Sequence, residues 1–433
     1  MRAKSDKIFK LIKGFKESDL IRDSFWSLLG NVFFKGLSLL SGIFIARFLG
    51  KDIFGEYGMI KNTLISVALF STFGFGYTVT KFIAEYREKN KDIIRLITAY
   101  VSRITIIVSG TIAILIFTFS DYIATQVLKA SNLNDSIKIM SVLVVFNAYV
   151  TLQLGILSGL GRFKKIAELN IRIGLITFIC SVSFTYFLGL NGALLSLLVV
   201  QIVNIYFNHK LIGKYNNFSL KKKSFNDNVL RDLVLFSIPL ALQEIVFSIT
   251  YWLSNLLIVK YTSYGELGLY NATLQWTSII LFIPGILRNV VLSHLSLKNK
   301  DDEGFSETIK VTLLINFVMT LLPATFVFLF ADLISNFYGD SFRGFSRLIR
   351  IALISTVFIS ISNIFVQIYM SKGNNWLMFG LRCFKDIAII IVFLLLINHI
   401  DSGAKSMVYS VVFVNIVFLG LVVGFYKSRF FKR

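Results

Sequence analysis

The sequence predicts an all-α, polytopic membrane protein with twelve transmembrane helices arranged as two six-helix lobes. Three observations lead there. The chain is 433 residues long with 55% hydrophobic and only 16% charged residues, where a soluble domain carries about 25% charged; its mean hydropathy is +0.72. Its apolar residues fall in uncharged runs about as long as a bilayer is thick. Short elements of the first half also return in the second at a nearly constant offset. The runs are continuously apolar rather than alternating, so helices are expected and barrel strands are not.

The composition excludes several classes. A soluble enzyme would leave its apolar surface uncovered, and a disordered scaffold needs low hydrophobicity. Cys180 and Cys383 both sit inside apolar runs, and only three histidines occur, so no disulfide framework or metal cluster is expected. The formal net charge of +21 would suggest nucleic acid on a soluble protein. Here the basic residues lie in short segments between apolar runs, as the positive-inside rule requires, and no nucleic-acid partner is expected.

In chain order the spans are expected near 24–49, 59–82, 96–118 and 139–161. Ile173–Asn208 is too long for one helix, and Gly189-Leu190-Asn191-Gly192 divides it in two. The series continues near 233–259, 267–287, 311–331, 351–371, 374–398 and 406–426. Lysines and arginines crowd the N-terminus, Arg87/Lys89/Lys91, Arg162/Lys164/Lys165, Lys210–Lys223 and the C-terminus. These are alternate members of the loop series, which places both termini in the cytoplasm. Residues 7–16 set Ile8, Leu11, Ile12 and Phe15 on one face with lysines around the other, as an interfacial helix does. The expected organisation is a basic interfacial segment over 1–22, an N-terminal lobe over 23–212, a basic cytoplasmic linker over 213–232 and a C-terminal lobe over 233–433.

The internal echo supports this division. Arg22-Asp23 matches Arg231-Asp232, Phe54-Gly55-Glu56-Tyr57 matches Leu267-Gly268-Leu269-Tyr270, and Gly192-Ala193 matches Gly403-Ala404. The offset stays between 209 and 213. Six spans return the chain to its starting side, so the repeat is parallel and its axis runs along the membrane normal. That is the architecture of an alternating-access transporter with a cleft between lobes.

Charges within spans are costly and should face protein or water. Lys35 lies about eleven residues into the first span, roughly 16 Å deep at 1.5 Å per residue, on a face with Ser27, Asn31, Ser38 and Gly42. Span 7 aligns Glu244, Ser248, Tyr251 and Asn255. Lys35 and Glu244 are 209 positions apart, which leaves two readings open, a salt bridge closing the lobes or a cavity site. Arg103, Arg172, Arg382 and Lys385 lie nearer span ends, where they either snorkel or contribute to an electropositive cleft; Arg382 is also spaced to pair with Asp386. Asn271, Gln275 and Ser278 share a face beside Trp276, suited to sugar hydroxyls or to interhelical hydrogen bonds. Gly155-Ile156-Leu157-Ser158-Gly159 reads as a small-residue packing element. An electropositive cleft favours an anionic substrate.

Ile45-Ala46-Arg47-Phe48-Leu49-Gly50, Phe54-Gly55-Glu56-Tyr57-Gly58, Phe73-Gly74-Phe75-Gly76 and Ser158-Gly159-Leu160-Gly161-Arg162-Phe163 resemble bacterial polysaccharide flippases of the Wzx type. These belong to the superfamily of multidrug, oligosaccharidyl-lipid and polysaccharide (MOP) exporters. The resemblance implies a MATE-like fold in the bacterial cytoplasmic membrane. It implies alternating-access flipping of an undecaprenyl-pyrophosphate-linked oligosaccharide for surface polysaccharide assembly, among membrane lipids and alongside glycan polymerase and chain-length proteins. Arg47 matches the family's span-1 arginine, with gating or packing as its expected role, and Glu244 is the candidate for ion coupling. The alternatives are a multidrug or organic-cation antiporter of the same superfamily and a membrane glycan polymerase; no large outward loop is available for the second. No nucleotide-binding glycine loop occurs. No resident cofactor or metal is expected, no enzymatic activity is implied, and any coupling would use a proton or sodium gradient.

Overall fold

The computed structural model describes residues 19–72, 75–87, 91–215, 245–282, 284–285, 303–371 and 374–430. Its helices are α1 (Asp19–Thr72), α2 (Phe75–Tyr86), α3 (Lys91–Thr118), α4 (Asn134–Gly159), α5 (Phe163–Tyr215), α6 (Ile245–Tyr261), α7 (Tyr264–Ile280), α8 (Glu303–Leu329), α9 (Ala331–Tyr338), α10 (Phe345–Ser371), α11 (Asn375–Leu396) and α12 (Gly403–Phe430). Short helical turns occupy Ser120–Val127, Ser131–Leu133 and Asp340–Phe342. Among the described residues seven helices are long and apolar enough to cross a membrane.

Two of those seven carry two spans each. α1 breaks at Gly50 (φ 71°, ψ 168°) and α5 at Gly189 (φ 57°, ψ −135°), backbone geometries that suit a residue without Cβ. Helix therefore covers most of each of the twelve expected spans, wherever their residues are described. The register of the second differs from expectation. Hydropathy delays its start to residue 59 to avoid Lys51, Asp52 and Glu56, whereas the helix resumes at once after Gly50. Ser341 Oγ accepts from the Lys51 amide at 3.3 Å, satisfying one of the donors that a helix start leaves open. The interfacial segment over 7–16 and Glu244 lie outside the described residues.

The chain divides into two compact units. The first holds residues 1–41, 67–184 and 191–244; the second holds 42–66, 185–190 and 245–433. In the first, Val79, Ile83, Ile94, Ile97, Leu152 and Ile156 form a buried apolar core joining α2, α3 and α4. The 155–159 element serves packing there. A Cβ on Gly155 would lie 2.6 Å from the Gly76 carbonyl oxygen, and one on Gly159 would lie 2.8 Å from Ile83 Cβ. Thr80 Oγ1 donates to the Gly155 carbonyl at 3.0 Å.

In the second unit Ile364, Ile368, Tyr369, Met378, Phe418 and Val422 join α10, α11 and α12. A buried aromatic group of Tyr338, Phe342 and Phe345 stands beside Phe54, whose ring lies 6.0 Å from that of Phe342. Ser263 caps α7 by accepting from the Glu266 amide at 3.3 Å. The Glu266 carboxylate in turn accepts from Ser402 Oγ and, at 3.0 Å, from the Ala404 amide at the start of α12. An anionic group at a helix N-terminus is favourably placed. Large apolar side chains remain exposed on the helices, including Ile107, Ile114, Leu322 and Phe187, the surface expected of a chain solvated by lipid. The chain is a multi-pass membrane protein.

Candidate functional site

The second unit contains a cavity of about 430 Å³, within the size range of small-molecule sites. Its polar lining includes Lys61, Asn62, Tyr251, Asn271, Gln275 and Ser278, and Tyr57 and Tyr270 also border it. Residues 51–66 of α1 provide one wall, and α6, α7, α10 and α12 provide the others.

The helix pair at this wall approaches closely because both members carry glycine at the crossing. A Cβ on Gly55 would overlap the Tyr264 carbonyl oxygen and lie 3.1 Å from the Gly268 nitrogen. A Cβ on Gly268 would overlap the Lys51 carbonyl oxygen and lie 3.2 Å from the Gly55 nitrogen. These contacts are reciprocal. Gly55 and Gly268 are 213 positions apart, and so are Lys51 and Tyr264. The crossing is thus a local two-fold arrangement of repeat-equivalent residues. Gly58 faces Asn271 and Asp52 faces Gly265, each pair again 213 apart, so these pairs lie on the two-fold axis itself.

Directly below, a buried polar network ties the three helices together. Asn62 Nδ2 donates to Asn271 Oδ1 at 3.0 Å and to Asn255 Oδ1 at 3.3 Å. Tyr251 Oη donates to Asn62 Oδ1 at 3.1 Å, and Asn255 Nδ2 donates to the Tyr251 carbonyl at 2.7 Å. Trp252 Nε1 donates to Thr63 Oγ1, and Ser248 Oγ donates to the Ser66 carbonyl, both at 3.0 Å. Gln275 is oriented separately. Tyr338 Oη donates to its Oε1 at 3.2 Å while accepting from Trp276 Nε1 at 3.0 Å, which leaves Nε2 as the amide's donor. Lys61 Nζ sits 5.6 Å from the centre of the Tyr57 ring, a cation–π distance. No Asp or Glu is among the lining residues.

Four of the expected site residues, Tyr251, Asn255, Asn271 and Gln275, thus meet around this cavity and its network. The others lie elsewhere. Asn31 accepts from Asn170 Nδ2 at 3.4 Å in the first unit, where Lys35 and Arg103 are half-buried and Arg172 is exposed. Arg382 and Lys385 are half-buried on α11. Asp386 takes Lys385 as its ion-pair partner, at 3.9 Å, rather than the spaced Arg382, and Lys385 Nζ lies 5.3 Å from the Phe418 ring centre. Arg47 is exposed, its aliphatic stem beside Gly339, whose φ is +92°.

Sequence reasoning missed Lys61 and Asn62. A span beginning at 59 puts Lys61 at the membrane surface. A helix beginning at Lys51 puts it ten residues in, roughly 15 Å along the axis. The repeat offers a signal for Asn62, since an offset of 213 sets it against Gln275.

Comparison with known proteins agrees with this architecture. The family model described as polysaccharide biosynthesis protein matches residues 20–292. The probable low-salt glycan biosynthesis flippase Agl15 of Haloferax volcanii is 24% identical over 330 residues, covering 75% of this chain and 66% of that protein. A putative O-antigen transporter of Shigella flexneri is 21% identical over 374 residues, covering 84% of this chain and 88% of that one. Among solved structures, an inward-facing multidrug resistance MATE family transporter of the MOP superfamily superposes with a TM-score of 0.81 at 14% identity. It covers 93% of this chain and 98% of that one, which establishes the shared fold. The expected MATE-like, all-helical architecture is therefore present, and the chain belongs to the polysaccharide biosynthesis protein family of membrane transporters, as the Wzx-type sequence elements implied.

Proposed function

We propose that this transporter flips an undecaprenyl-pyrophosphate-linked oligosaccharide from the cytoplasmic to the outer leaflet of the cytoplasmic membrane by alternating access, with both termini in the cytoplasm. The observation that carries the reading is the cavity lining. It offers one ammonium, several amide groups and tyrosine rings, and no carboxylate. Amides and aromatic rings suit sugar hydroxyls and their C–H surfaces, and a lysine suits an anionic group. An organic-cation antiporter needs the opposite, a carboxylate facing the substrate. Similarity to a flippase and an O-antigen transporter supports the same reading. Lys35, Arg103, Arg172, Arg382 and Lys385 are proposed as further cationic positions along the route, with polymerase and chain-length proteins as partners in assembly.

The test uses proteoliposomes loaded with a fluorescent lipid-linked oligosaccharide and an external quencher. Lys61→Ala removes a charged partner, a contribution of about 1.5–3 kcal/mol, so flipping should slow roughly tenfold to a hundredfold. Lys61→Arg should retain most of the rate. Wild-type flipping by the Ala variant would remove Lys61 from the route. Gradient-driven uptake of an organic cation, without glycan-lipid flipping, would replace the reading with the antiporter.

A further inference from the structure

Gln275 is the repeat counterpart of Asn62, at the offset of 213, and the two amides are used differently. Asn62 commits both ends to the network, Nδ2 to Asn271 and Asn255 and Oδ1 to Tyr251. Gln275 commits only its Oε1, to Tyr338. Among the described residues its Nε2 makes no hydrogen bond, and it is not one of the sealed, unpartnered atoms such as Asn271 Nδ2. The side chain is half-buried and lines the cavity.

A relay fixes which way this amide faces. The Trp276 indole can only donate, so Tyr338 Oη accepts from it at 3.0 Å. The Tyr338 side chain is fully buried, its ring 4.7 Å from that of Phe345 and 5.2 Å from that of Phe342. Its own proton therefore needs a protein acceptor, and Gln275 Oε1 at 3.2 Å provides it. Turning the amide over would leave the phenol proton buried without a partner. Gly42 makes room for the arrangement, since a Cβ there would lie 2.7 Å from both Nε2 and Oε1.

A hydroxyl both donates and accepts, so either end of an amide reads it. A fixed amide discriminates only among groups that cannot do both. Resting on the flippase reading, we infer that Gln275 Nε2 recognises a pure acceptor oxygen on the glycan, an acetamido carbonyl or a uronate carboxylate, with Tyr338 as its positioning residue. The Lys61 ammonium in the same lining is likewise a donor only. A protonated amino sugar finds a partner at neither.

The experiment titrates the full-length protein in nanodiscs, followed by tryptophan fluorescence. The probes are N,N′-diacetylchitobiose, digalacturonate, cellobiose and the diamine chitobiose, in a mildly acidic buffer that keeps the amines protonated. Wild type should bind at least one of the first two about tenfold more tightly than cellobiose, the factor for one hydrogen bond, and chitobiose most weakly. Gln275→Glu keeps the shape and the Tyr338 bond but offers an acceptor. It should lose that preference and bind chitobiose about tenfold more tightly than wild type does. Tyr338→Phe frees the amide to turn, so the preference over cellobiose should fall to near parity while cellobiose affinity holds. Should that variant not fold, Trp276→Phe releases the phenol from accepting and should lower the same preference, with Trp252 as reporter. Parity in wild type, or no binding of any disaccharide, overturns the acceptor reading. A preference kept by Gln275→Glu overturns the assignment to Gln275. An unchanged preference in the relay variant, or an equal loss for every probe, overturns the positioning role. Glycan-lipid flipping is scored separately, so its failure beside an intact sugar preference falls on the transport reading and leaves this site standing.

Discussion

Adding one methyl group at the crossing of residues 51–66 with α7 gives a quantitative test of the two-fold contact. A Cβ on Gly55 would lie 2.6 Å from the Tyr264 carbonyl carbon, and one on Gly268 would lie 3.0 Å from the Lys51 carbonyl carbon. Ordinary contact begins at 3.4 Å, and the carbonyl oxygens are closer still, so the helices must part by about 1 Å. A gap of that size forfeits a quarter to a half of each facing dispersion contact. Overpacking of this kind costs about 1–3 kcal/mol, and alanine's better helix propensity returns up to about 1 kcal/mol. Gly55→Ala and Gly268→Ala should each lose about 1–2 kcal/mol. Both methyl groups demand the same parting, so the double variant should lose little more than either single one. That is an interaction of about 1–2 kcal/mol in a double-mutant cycle. Unfolding in detergent, followed by tryptophan fluorescence, supplies the four stabilities. Gly420→Ala, with nothing within 4 Å of its added Cβ, is the control and should not be destabilised. Additive losses, or a Gly55→Ala variant as stable as wild type, would refute the shared-gap argument.

Two further outcomes follow from charges. Asp332, on α9 outside the spans, accepts from Arg350 Nη2 at 2.6 Å, and hydrogen bonds from Arg350 and Ser346 hold its carboxyl below the usual carboxylate range. A lowered folded-state value means that its stabilisation is full above the unfolded value, near about 4, and is lost as pH falls through the folded one; amide exchange over 331–338 should rise across that acid window, and Asp332→Asn should abolish the step. Glu244→Gln should remove any dependence of glycan-lipid flipping on an imposed pH gradient while sugar binding persists, and a gradient dependence unchanged from wild type would make Glu244 structural.

Much of this fold is legible because lipid imposes one strong rule on the chain. Apolar length gave the spans, and Gly189 was visible as a break inside a run too long for one helix. The rule fails where a helix carries charge. Lys51, Asp52 and Glu56 pushed the expected start of the second span to 59, although Gly50 lets the helix resume at Lys51. That displacement alone hid Lys61. Tyr251, Asn255, Asn271 and Gln275 were found because polar residues at helical spacing mark one face, which is a local property. Their joining through Asn62 was not legible, since it depends on contacts between residues 189 to 209 positions apart.

The axis pairs at the crossing bear on how two duplicated halves diverge. An exact repeat would set the same residue against itself at every position on a dyad. Asparagine at both 58 and 271 would drive two amides into one space, since the Asn271 side chain already fills the place of a Gly58 Cβ. Glycine at both would leave the hole empty. Asp52 opposite Gly265 poses the same conflict with the roles exchanged, the bulk now on the N-terminal copy. At these two positions the copies cannot remain identical and also fit. Close contact between the halves thus itself demands that one copy keep a side chain and the other surrender it, and sequence asymmetry is the condition of the shape symmetry there.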